Sequence, residues 1–554
     1  MRSANTRSAN MNTLKILPFA LLLLAQGAPV EARQQVPQVS QVSQEQQQQQ
    51  QKKTSKPPPE FQPKSQQKSQ QDAAQHDEFF WLGEINKASA VINTQQGLLD
   101  PALAPRLAAG LAQVLDDGKQ PGARRPSSVI TFEPLMIKAA GEEVTWLHAG
   151  RSSQDMHATY RAAIMRDNML KLAAQLNRTA GTMVRLAGEY QSTIVPNYTN
   201  GVAAQPNSYG HYLLGHAAGL DRDAQRIREA YARIDLSPMG STVLNGSSWP
   251  LDRAGMAAYL GFAGIVDNAY DAHQIAAVDY PVEVGGIVTS IALHAGSFIE
   301  DVLTQYAQAR PWILLREGGG NTYVSSAMPQ KRNPGLLNST RGDASMAITL
   351  AMGRVFEAHN LPPGMSDAKE VKDNTAMVDS AIKVLANWDK ILSALVVDQA
   401  RALDELNSDW TASQELADLL MRNYKLPFRV GHHFASEIVD YARAHAIRPS
   451  DFPYAQAQRI YQDAVKDFGG GALPMSEKEF RAALDPIAIV QHRATAGGPQ
   501  ATEMARMRTA AQQRLAQQDA WIKDKRARIE AALATLDRDF DQLLPAGGEG
   551  TRRP

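Results

Sequence analysis

Two long apolar stripes with helical spacing constrain this chain more than any other feature. In residues 285–306 the apolar side chains recur every three or four positions: Ile287, Ile291, Ala295, Phe298, Ile299, Val302 and Tyr306. A second stripe follows the same spacing: Val378, Ile382, Leu385, Leu392 and Val396. This period places each set along one side of an α-helix. Because the stripes are broad, they predict helices that are buried on more than one side, as in the middle of a helical bundle.

Composition excludes several classes of function. Lysine plus arginine (57) equal aspartate plus glutamate (57), so the formal net charge is zero, which argues against a nucleic-acid partner. The chain has no cysteine, and this rules out disulfides, thiolate nucleophiles and cysteine-bound zinc. It also lacks a P-loop, a dinucleotide glycine fingerprint and a GxSxG elbow, so we expect chemistry without a cofactor.

Residues 1–32 have the layout of a secretory signal peptide. Arg2, Arg7 and Lys15 precede an apolar run at residues 16–24, and a cleavage site is predicted after Ala32. A membrane anchor is the alternative, but the run is short for a bilayer span. We expect no later apolar stretch to approach spanning length. We therefore expect a periplasmic or secreted protein without stable membrane insertion.

The segments beside the folded region have low-complexity composition. Residues 33–76 are rich in glutamine, serine, lysine and proline and predict a disordered linker. Residues 547–554 predict a disordered tail. Between them, residues 77–152 have helical apolar spacing and predict a small N-terminal helical domain.

A glycine and serine segment at residues 318–334 predicts a mobile loop. Gly318, Gly319 and Gly320 permit backbone angles closed to other residues, and Ser325 and Ser326 follow. Lys331 and Asn333 come after Pro329, where a cation and an amide can hold a carboxylate while a serine acts on the neighbouring carbon. The alternative is a solvated loop that leads into a helix.

Three further segments carry polar groups. Residues 148–155 (HAGRSSQD) open a long helix, where Ser152 or Ser153 is either a helix cap or part of an anion site with Gln154. Residues 196–206 (PNYTNGVAAQP) predict a loop with two proline-bounded turns that carries Thr199 and Asn200. Residues 361–372 (LPPGMSDAKEVK) end in Lys372, which can serve a carboxylate.

These segments resemble motifs of the fumarase/aspartase superfamily, in the wording of its argininosuccinate lyase branch. Residues 324–334 (VSSAMPQKRNP) are similar to the signature GSSxMPxKxNP, and residues 148–155 to HTGRSRND. Residues 196–206 resemble GYTHLQxAQP, and residues 361–372 loosely resemble LPLAYNxDxQEDK. The departures are specific: Val324 replaces glycine, Ser153 and Gln154 replace arginine and asparagine, Asn200 replaces histidine, Met365 replaces tyrosine and Lys369 replaces glutamine.

The resemblance implies an all-α fold of three mostly helical domains with a long central helical bundle. The expected limits are 77–152, 153–407 for the bundle and 408–546 for the C-terminal domain. It also implies a homotetramer in which each active site is built from three subunits, which would join the loops at 148–155, 197–205 and 324–333.

The implied reaction is a reversible anti β-elimination that removes an amine from an N-substituted aspartate or succinyl compound and gives fumarate. Ser326 would be the general base, and Lys331 would stabilise the charge that develops on the dicarboxylate. The implied substrate-binding residues are Ser152, Gln154, Thr199, Asn200, Ser325, Asn333 and Lys372. Asparagine has no usable titration near neutral pH, so the general acid stays open.

Two other functions are compatible with these residues. One is a dicarboxylate-binding protein that has lost the chemistry, suggested by Asn200 and Val324; the other is a carbon–oxygen lyase or a cycloisomerase on the same scaffold. His432 and His433 have no third ligand at a metal-site spacing, so we predict no metal.

Overall fold

Helices supply most of the regular structure in residues 76–466 and 470–545, which the computed structural model describes. Three helices come first, followed by a 3-10 turn: α1 (Glu78–Gln95), α2 (Ala104–Gly118), α3 (Val129–Ala140) and Glu142–His148. The middle of the chain contributes α4 (Ser153–Glu189), α5 (Tyr209–Ile234), α6 (Arg253–Tyr259), α7 (Ala276–Tyr306), α8 (Gly335–Ala358) and α9 (Val371–Ala394). The remaining helices are α10 (Gln399–Ser408), α11 (Ser413–Tyr424), α12 (Phe428–Ala444), α13 (Tyr454–Ala464), α14 (Glu477–Leu484), α15 (Pro486–Gln491) and α16 (Ala501–Asp541). The all-α prediction is confirmed.

Short strands pair two by two and make no larger sheet among the described residues. They are β1 (Ile194–Thr199), β2 (Val202–Ser208), β3 (Leu236–Ser237), β4 (Gly264–Ile265), β5 (Ile313–Leu315), β6 (Tyr323–Val324), β7 (Arg332–Asn333) and β8 (Leu395–Val397). β3 and β4 are parallel, whereas β1 with β2, β5 with β8 and β6 with β7 are antiparallel. Short helical turns complete the list: a π-helical turn at Asp271–Ile275 and 3-10 turns at Asp367–Lys369 and Pro449–Asp451.

The central bundle consists of α4, α5, α7, α8 and α9. α7 packs against α5, α8 and α9, and α4 packs against α5 and α9. The two apolar stripes of the sequence lie on α7 and α9, where Phe298, Leu385 and Trp388 are fully buried. The last residue of the second stripe, Val396, instead falls in β8 and is 48% exposed. The width of each stripe thus corresponds to burial against more than one neighbouring helix.

The C-terminal part of the chain has a hydrophobic core of its own. Residues of α11 to α14 and of the segments between them, including Phe434, Phe452 and Phe480, pack around each other within residues 410–484. The last helix, α16, instead packs against α1, α4 and α5, and its Ile522 and Leu536 belong to the large core. The limits of the three expected domains stay predictions. The expected signal peptide, the expected linker apart from His76 and the expected tail lie outside the described residues.

The expectation that no later apolar stretch approaches spanning length is wrong. By length and composition, the helical stretch Asp271–Tyr306 is long and apolar enough to cross a membrane. Half of its most apolar window is buried inside the chain. It contains α7, whose apolar residues fill the bundle core on one side. On another side Leu293 is 59% exposed.

The outer side of α8 is also apolar and uncovered in the described chain. Met346, Met352 and Phe356 are 57%, 43% and 74% exposed. A Cβ added at Gly342 or Gly353 of the same helix would meet nothing within 4 Å. Large exposed apolar surfaces of this kind mark interaction surfaces.

Arg166, near the middle of α4, holds several elements together. Its guanidinium is fully buried and donates to Asp235 (3.2 Å) and to the backbone carbonyls of Gly261 (2.8 Å) and Leu260 (3.1 Å). Asp235 also pairs with Arg528 of α16. The network therefore links the bundle to the last helix.

We expect Arg166→Ala to lower the free energy of unfolding by about 3–5 kcal/mol, because it leaves the carboxylate of Asp235 with one fewer partner in the core. Arg185→Ala is the matched control, since Arg185 lies on the same helix but forms an exposed pair with Glu189. That change should cost under about 1 kcal/mol. Chemical denaturation measures both, and equal effects would contradict the role given to Arg166.

Candidate active site

The predicted Gly/Ser loop is a small β-hairpin that stands out from the bundle. Gly318, Gly319 and Gly320 have φ of 79°, 61° and 83°, so three successive residues occupy a region that favours glycine. The strands β6 and β7 then pair Tyr323 with Asn333 and Val324 with Arg332.

Ser325 shapes the tip of this loop. Its hydroxyl accepts from the backbone N–H groups of Met328 (3.2 Å) and Ala327 (3.4 Å). Its own N–H donates to the carbonyl of Lys331 at 3.2 Å. These contacts define a compact turn that carries Ser326 and Lys331.

Ser326 and Lys331 are both exposed on that turn. Within the part of the chain that the structure describes, neither side chain has a hydrogen-bond or ion-pair partner. Asn333 lies half-buried at the base of the loop. The three groups predicted to act on a dicarboxylate therefore share one short loop, and two of them are free to meet a ligand.

Val324 occupies the position where the superfamily signature has glycine. It lies in the extended strand β6, and it is not among the residues with positive φ. No backbone conformation at this position requires glycine. The substitution is therefore compatible with an intact loop.

Thr199 and Asn200 lie at the tip of a second hairpin, formed by β1 and β2. Asn200 and Gly201 have φ of 52° and 75°, which is the pattern of a type I′ turn. The prediction of two turns in an open loop missed these strands. Asn200 and Gly201 together are the sequence signal that could have revealed the hairpin, because asparagine and glycine tolerate positive φ best.

The segment 148–155 is anchored by buried charges. The hydroxyl of Ser152 accepts from the backbone N–H of Gln154 (3.3 Å), and Asp155 accepts from the backbone N–H of Ser152 (2.8 Å), which makes a capping box at the start of α4. Asp155 also accepts from the N–H groups of Gly240 and Thr242, and burial raises its pKa to about 6. Ser152 thus serves as a helix cap, which is one of the two roles that the sequence left open for it.

Arg151 points away from the start of α4 into the N-terminal helices. It donates to Ser89 (2.8 Å) and Asn86 (2.7 Å) of α1, and burial lowers its pKa to about 10. The residue therefore fixes the segment to α1.

Gln154 joins a polar cluster that the sequence did not reveal. Its side-chain oxygen lies 3.1 Å from Nε2 of His273, and the backbone carbonyl of His273 accepts from Nζ of Lys369 at 3.3 Å. Gln274 accepts from the N–H of Gly364 at 3.1 Å and so ties this cluster to the segment 361–372. The sequence did not identify His273 as a site residue, because a single histidine in a helical pattern is usually structural.

Lys369, rather than Lys372, is the buried amine of the segment 361–372. Lys369 is 2% exposed, and burial, with help from Arg161, lowers its pKa to about 8. Lys372 is exposed in the first turn of α9. Its predicted contact with a carboxylate has no support from the described chain and stays a prediction.

The described chain does not bring the predicted loops together. Gln154 lies at the start of α4, a helix of 37 residues, and the hairpin of Thr199 begins just after its end. At 1.5 Å per residue the two ends are about 55 Å apart. The Ser326 loop lies at the hairpin end, since it follows β5, and Trp312 beside β5 donates to the hydroxyl of Tyr198 at 2.9 Å.

Comparisons with known proteins identify relatives of this chain. The lyase family model matches residues 82–348, and the model of the argininosuccinate lyase C-terminal region matches residues 410–491. Argininosuccinate lyase of Methanoculleus marisnigri is 28% identical over 451 residues, which cover 80% of this chain and 89% of that protein. Argininosuccinate lyase of a Geobacillus species is 29% identical over 424 residues, which cover 74% and 87%.

Solved structures share the fold. A doubly substituted variant of EDDS lyase with bound fumarate superposes with a TM-score of 0.76 at 24% identity, over 84% of this chain and 92% of that one. The 3-carboxy-cis,cis-muconate lactonizing enzyme from Pseudomonas putida gives a TM-score of 0.58 at 19% identity, over 78% and 94%. At these identities the likeness shows a common fold.

The buried amine of Lys369 predicts a pH dependence of stability. Its pKa in the folded chain is about 8, against 10.5 as the ordinary value, so folding disfavours the charged amine. That cost is fully present below pH 8 and disappears as the pH rises to 10.5. Between these limits we expect the free energy of unfolding to rise with pH more steeply in the native chain than in Lys369→Met.

Lys372→Met is the matched control, because this neighbouring lysine is exposed. Its slope should equal that of the native chain. Denaturant titrations at a series of pH values measure all three slopes. If Lys369→Met keeps the native slope, Lys369 is not the group responsible.

Proposed function

Because this chain belongs to the fumarase/aspartase superfamily, in its argininosuccinate lyase-like branch, we propose that it is a carbon–nitrogen lyase that releases fumarate. The substrate we propose is an N-substituted aspartate or a related succinyl compound. The reaction is a reversible anti β-elimination of its amine. The observation that carries this proposal is the exposed turn on which Ser326 and Lys331 lie together without partners in the described chain.

The proposed mechanism assigns each group one task. Ser326 removes the proton from the carbon next to a carboxylate, and the electron pair of that C–H bond moves onto this carboxylate to give an enediolate-like intermediate. The pair then forms the C=C bond as the C–N bond breaks and the amine leaves. Lys331 and Asn333 hold the carboxylate whose charge grows in the intermediate. Serine is a weak base, so it needs the nearby ammonium and loop N–H groups to stabilise its ionised form.

The leaving amine must receive a proton, and Asn200 is unsuited to donate one. Its side-chain amide does not titrate near neutral pH, and its backbone occupies the left-handed region. We propose that Asn200 shapes the hairpin tip and orients the substrate. An amine that is already basic enough to take its proton from water fits this arrangement.

We propose that the protein acts as a homotetramer with shared active sites. The start of α4 and the Ser326 loop lie at opposite ends of the bundle, so one chain cannot supply both to one ligand. The uncovered apolar side of α8, with Met346 and Phe356, and Leu293 of α7 supply surfaces that another copy can cover. Antiparallel contact between such helices would bring opposite ends together.

Export remains part of the proposal. The charged residues and apolar run before Ala32 support a signal peptide, and the protein would then act in the periplasm or outside the cell. Detection of a mature N-terminus after Ala32 in the exported fraction would support this, and an intact N-terminus in the cytoplasmic fraction would contradict it.

We expect Ser326→Ala to lower turnover by at least ~10³-fold, because it removes the base that takes the proton. The assay mixes the protein with fumarate and a panel of amines and diamines and follows the ultraviolet absorbance of fumarate. Ser339→Ala is the matched control, since Ser339 is also exposed and bonds only to a backbone carbonyl of α8. It should retain native activity.

Equal activity of Ser326→Ala and the native chain would remove Ser326 from the mechanism. Binding of dicarboxylates with no turnover by the native chain would favour the binding-protein alternative. Turnover of hydroxylated succinates in place of amines would favour the carbon–oxygen lyase.

A further inference from the structure

A cavity of about 620 Å³ lies beneath the hairpin that carries Thr199. Its walls come from β1 and β2, the start of α5, the end of α7, the segment at Trp312 and α11. We call it the hairpin cavity. Its volume is within the range of sites that take small organic ligands.

One wall of the hairpin cavity is aromatic. The rings of Tyr209 and Tyr212 stack at 5.6 Å with an interplanar angle of 13°, and Trp312 meets Tyr209 edge-on at 5.8 Å. Such ring faces attract organic cations as well as apolar groups.

The charge of the hairpin cavity is negative. Asp301 is the one ionisable carboxyl among its lining residues, and none of these residues is lysine, arginine or histidine. Asp301 is exposed and accepts from the hydroxyl of Tyr212 at 2.7 Å. His216 packs against Tyr212 just behind this wall, but burial lowers its pKa to about 4, so its ring is neutral near pH 7.

The same wall contains a buried tyrosine hydroxyl that has no hydrogen-bond partner. Tyr209 is 2% exposed, and its hydroxyl makes no hydrogen bond within the described residues. Burial raises the pKa of this phenol, so the hydroxyl stays neutral. This hydroxyl has almost no accessible surface, so it is shielded from the cavity and adds a cost to the wall without contacting a ligand.

We propose that the hairpin cavity is a binding site for a small organic ammonium ion with an aromatic or aliphatic body. The carboxylate of Asp301 pairs with the ammonium group, and the rings of Tyr212 and Trp312 cover the body. Anions are disfavoured by Asp301, and no basic side chain in the lining would offset that repulsion. The cavity lining includes Thr199, one of the implied substrate-binding residues, but neither Ser326 nor Lys331, so the inference does not need the proposed elimination to hold.

The test is calorimetric titration of the full chain with benzylammonium at neutral pH, with benzyl alcohol and benzoate as neutral and anionic controls of the same shape. We expect saturable binding of benzylammonium and at least ~10-fold weaker binding of both controls, because they lack the charge that pairs with the carboxylate.

Three variants locate the site. Asp301→Asn should weaken benzylammonium binding ~10-fold or more, because it removes the negative charge and keeps the size of the side chain. Glu300→Gln is the matched control: Glu300 is the exposed neighbour on α7 outside the lining, and its change should leave affinity as it was. Ser326→Ala should also bind as the native chain does, which separates this site from the proposed active site.

The proposal is overturned if the native chain binds benzylammonium no better than benzyl alcohol, or if Asp301→Asn binds it as tightly as the native chain. Loss of binding in Ser326→Ala would place the ligand in the active site and would also overturn it. None of these outcomes depends on whether the native chain catalyses the elimination. The binding test therefore stays valid if the lyase proposal fails.

Discussion

The uninterrupted length of α4 is the constraint on which the rest of the structure depends. Its start is fixed by the capping box of Ser152 and Asp155, and its middle by the buried guanidinium of Arg166. A helix of 37 residues with these anchors is a rigid rod of about 55 Å. It separates Gln154 from Thr199 and so divides the predicted site residues between two ends of one bundle.

This division gives the exposed features of the chain a common explanation. The Ser326 loop stands out from the bundle, Thr199 and Asn200 are exposed at the tip of a hairpin, and Met346 and Phe356 are uncovered on α8. A monomer would leave polar reactive groups and a large apolar surface in water. In the proposed homotetramer the apolar side of the bundle would be buried, and groups from opposite ends would meet.

The sequence predicted the helices well because their signal is local. Apolar residues at three and four spacing identify α7 and α9, and the capping serine identifies the start of α4. The hairpin of Thr199 was missed because its strands alternate poorly, although Asn200 and Gly201 mark its turn. The cluster of Gln154, His273 and Lys369 could not be predicted, since its members are more than 90 residues apart and meet only after the bundle has folded. The resemblance to a known superfamily supplied roles for Ser326 and Lys331 that spacing alone leaves open.

The central claim is that one active site takes groups from more than one copy of the chain. The direct measurement mixes two variants, Ser326→Ala and Gln154→Leu, after unfolding and joint refolding, and compares fumarate release with that of each variant refolded alone. If the two residues of a site come from different copies, random assembly at equal amounts gives native pairs in about a quarter of the sites and restores about a quarter of native activity. If both residues of a site come from the same chain, the mixture has no more activity than the separate variants, and that result would contradict the account.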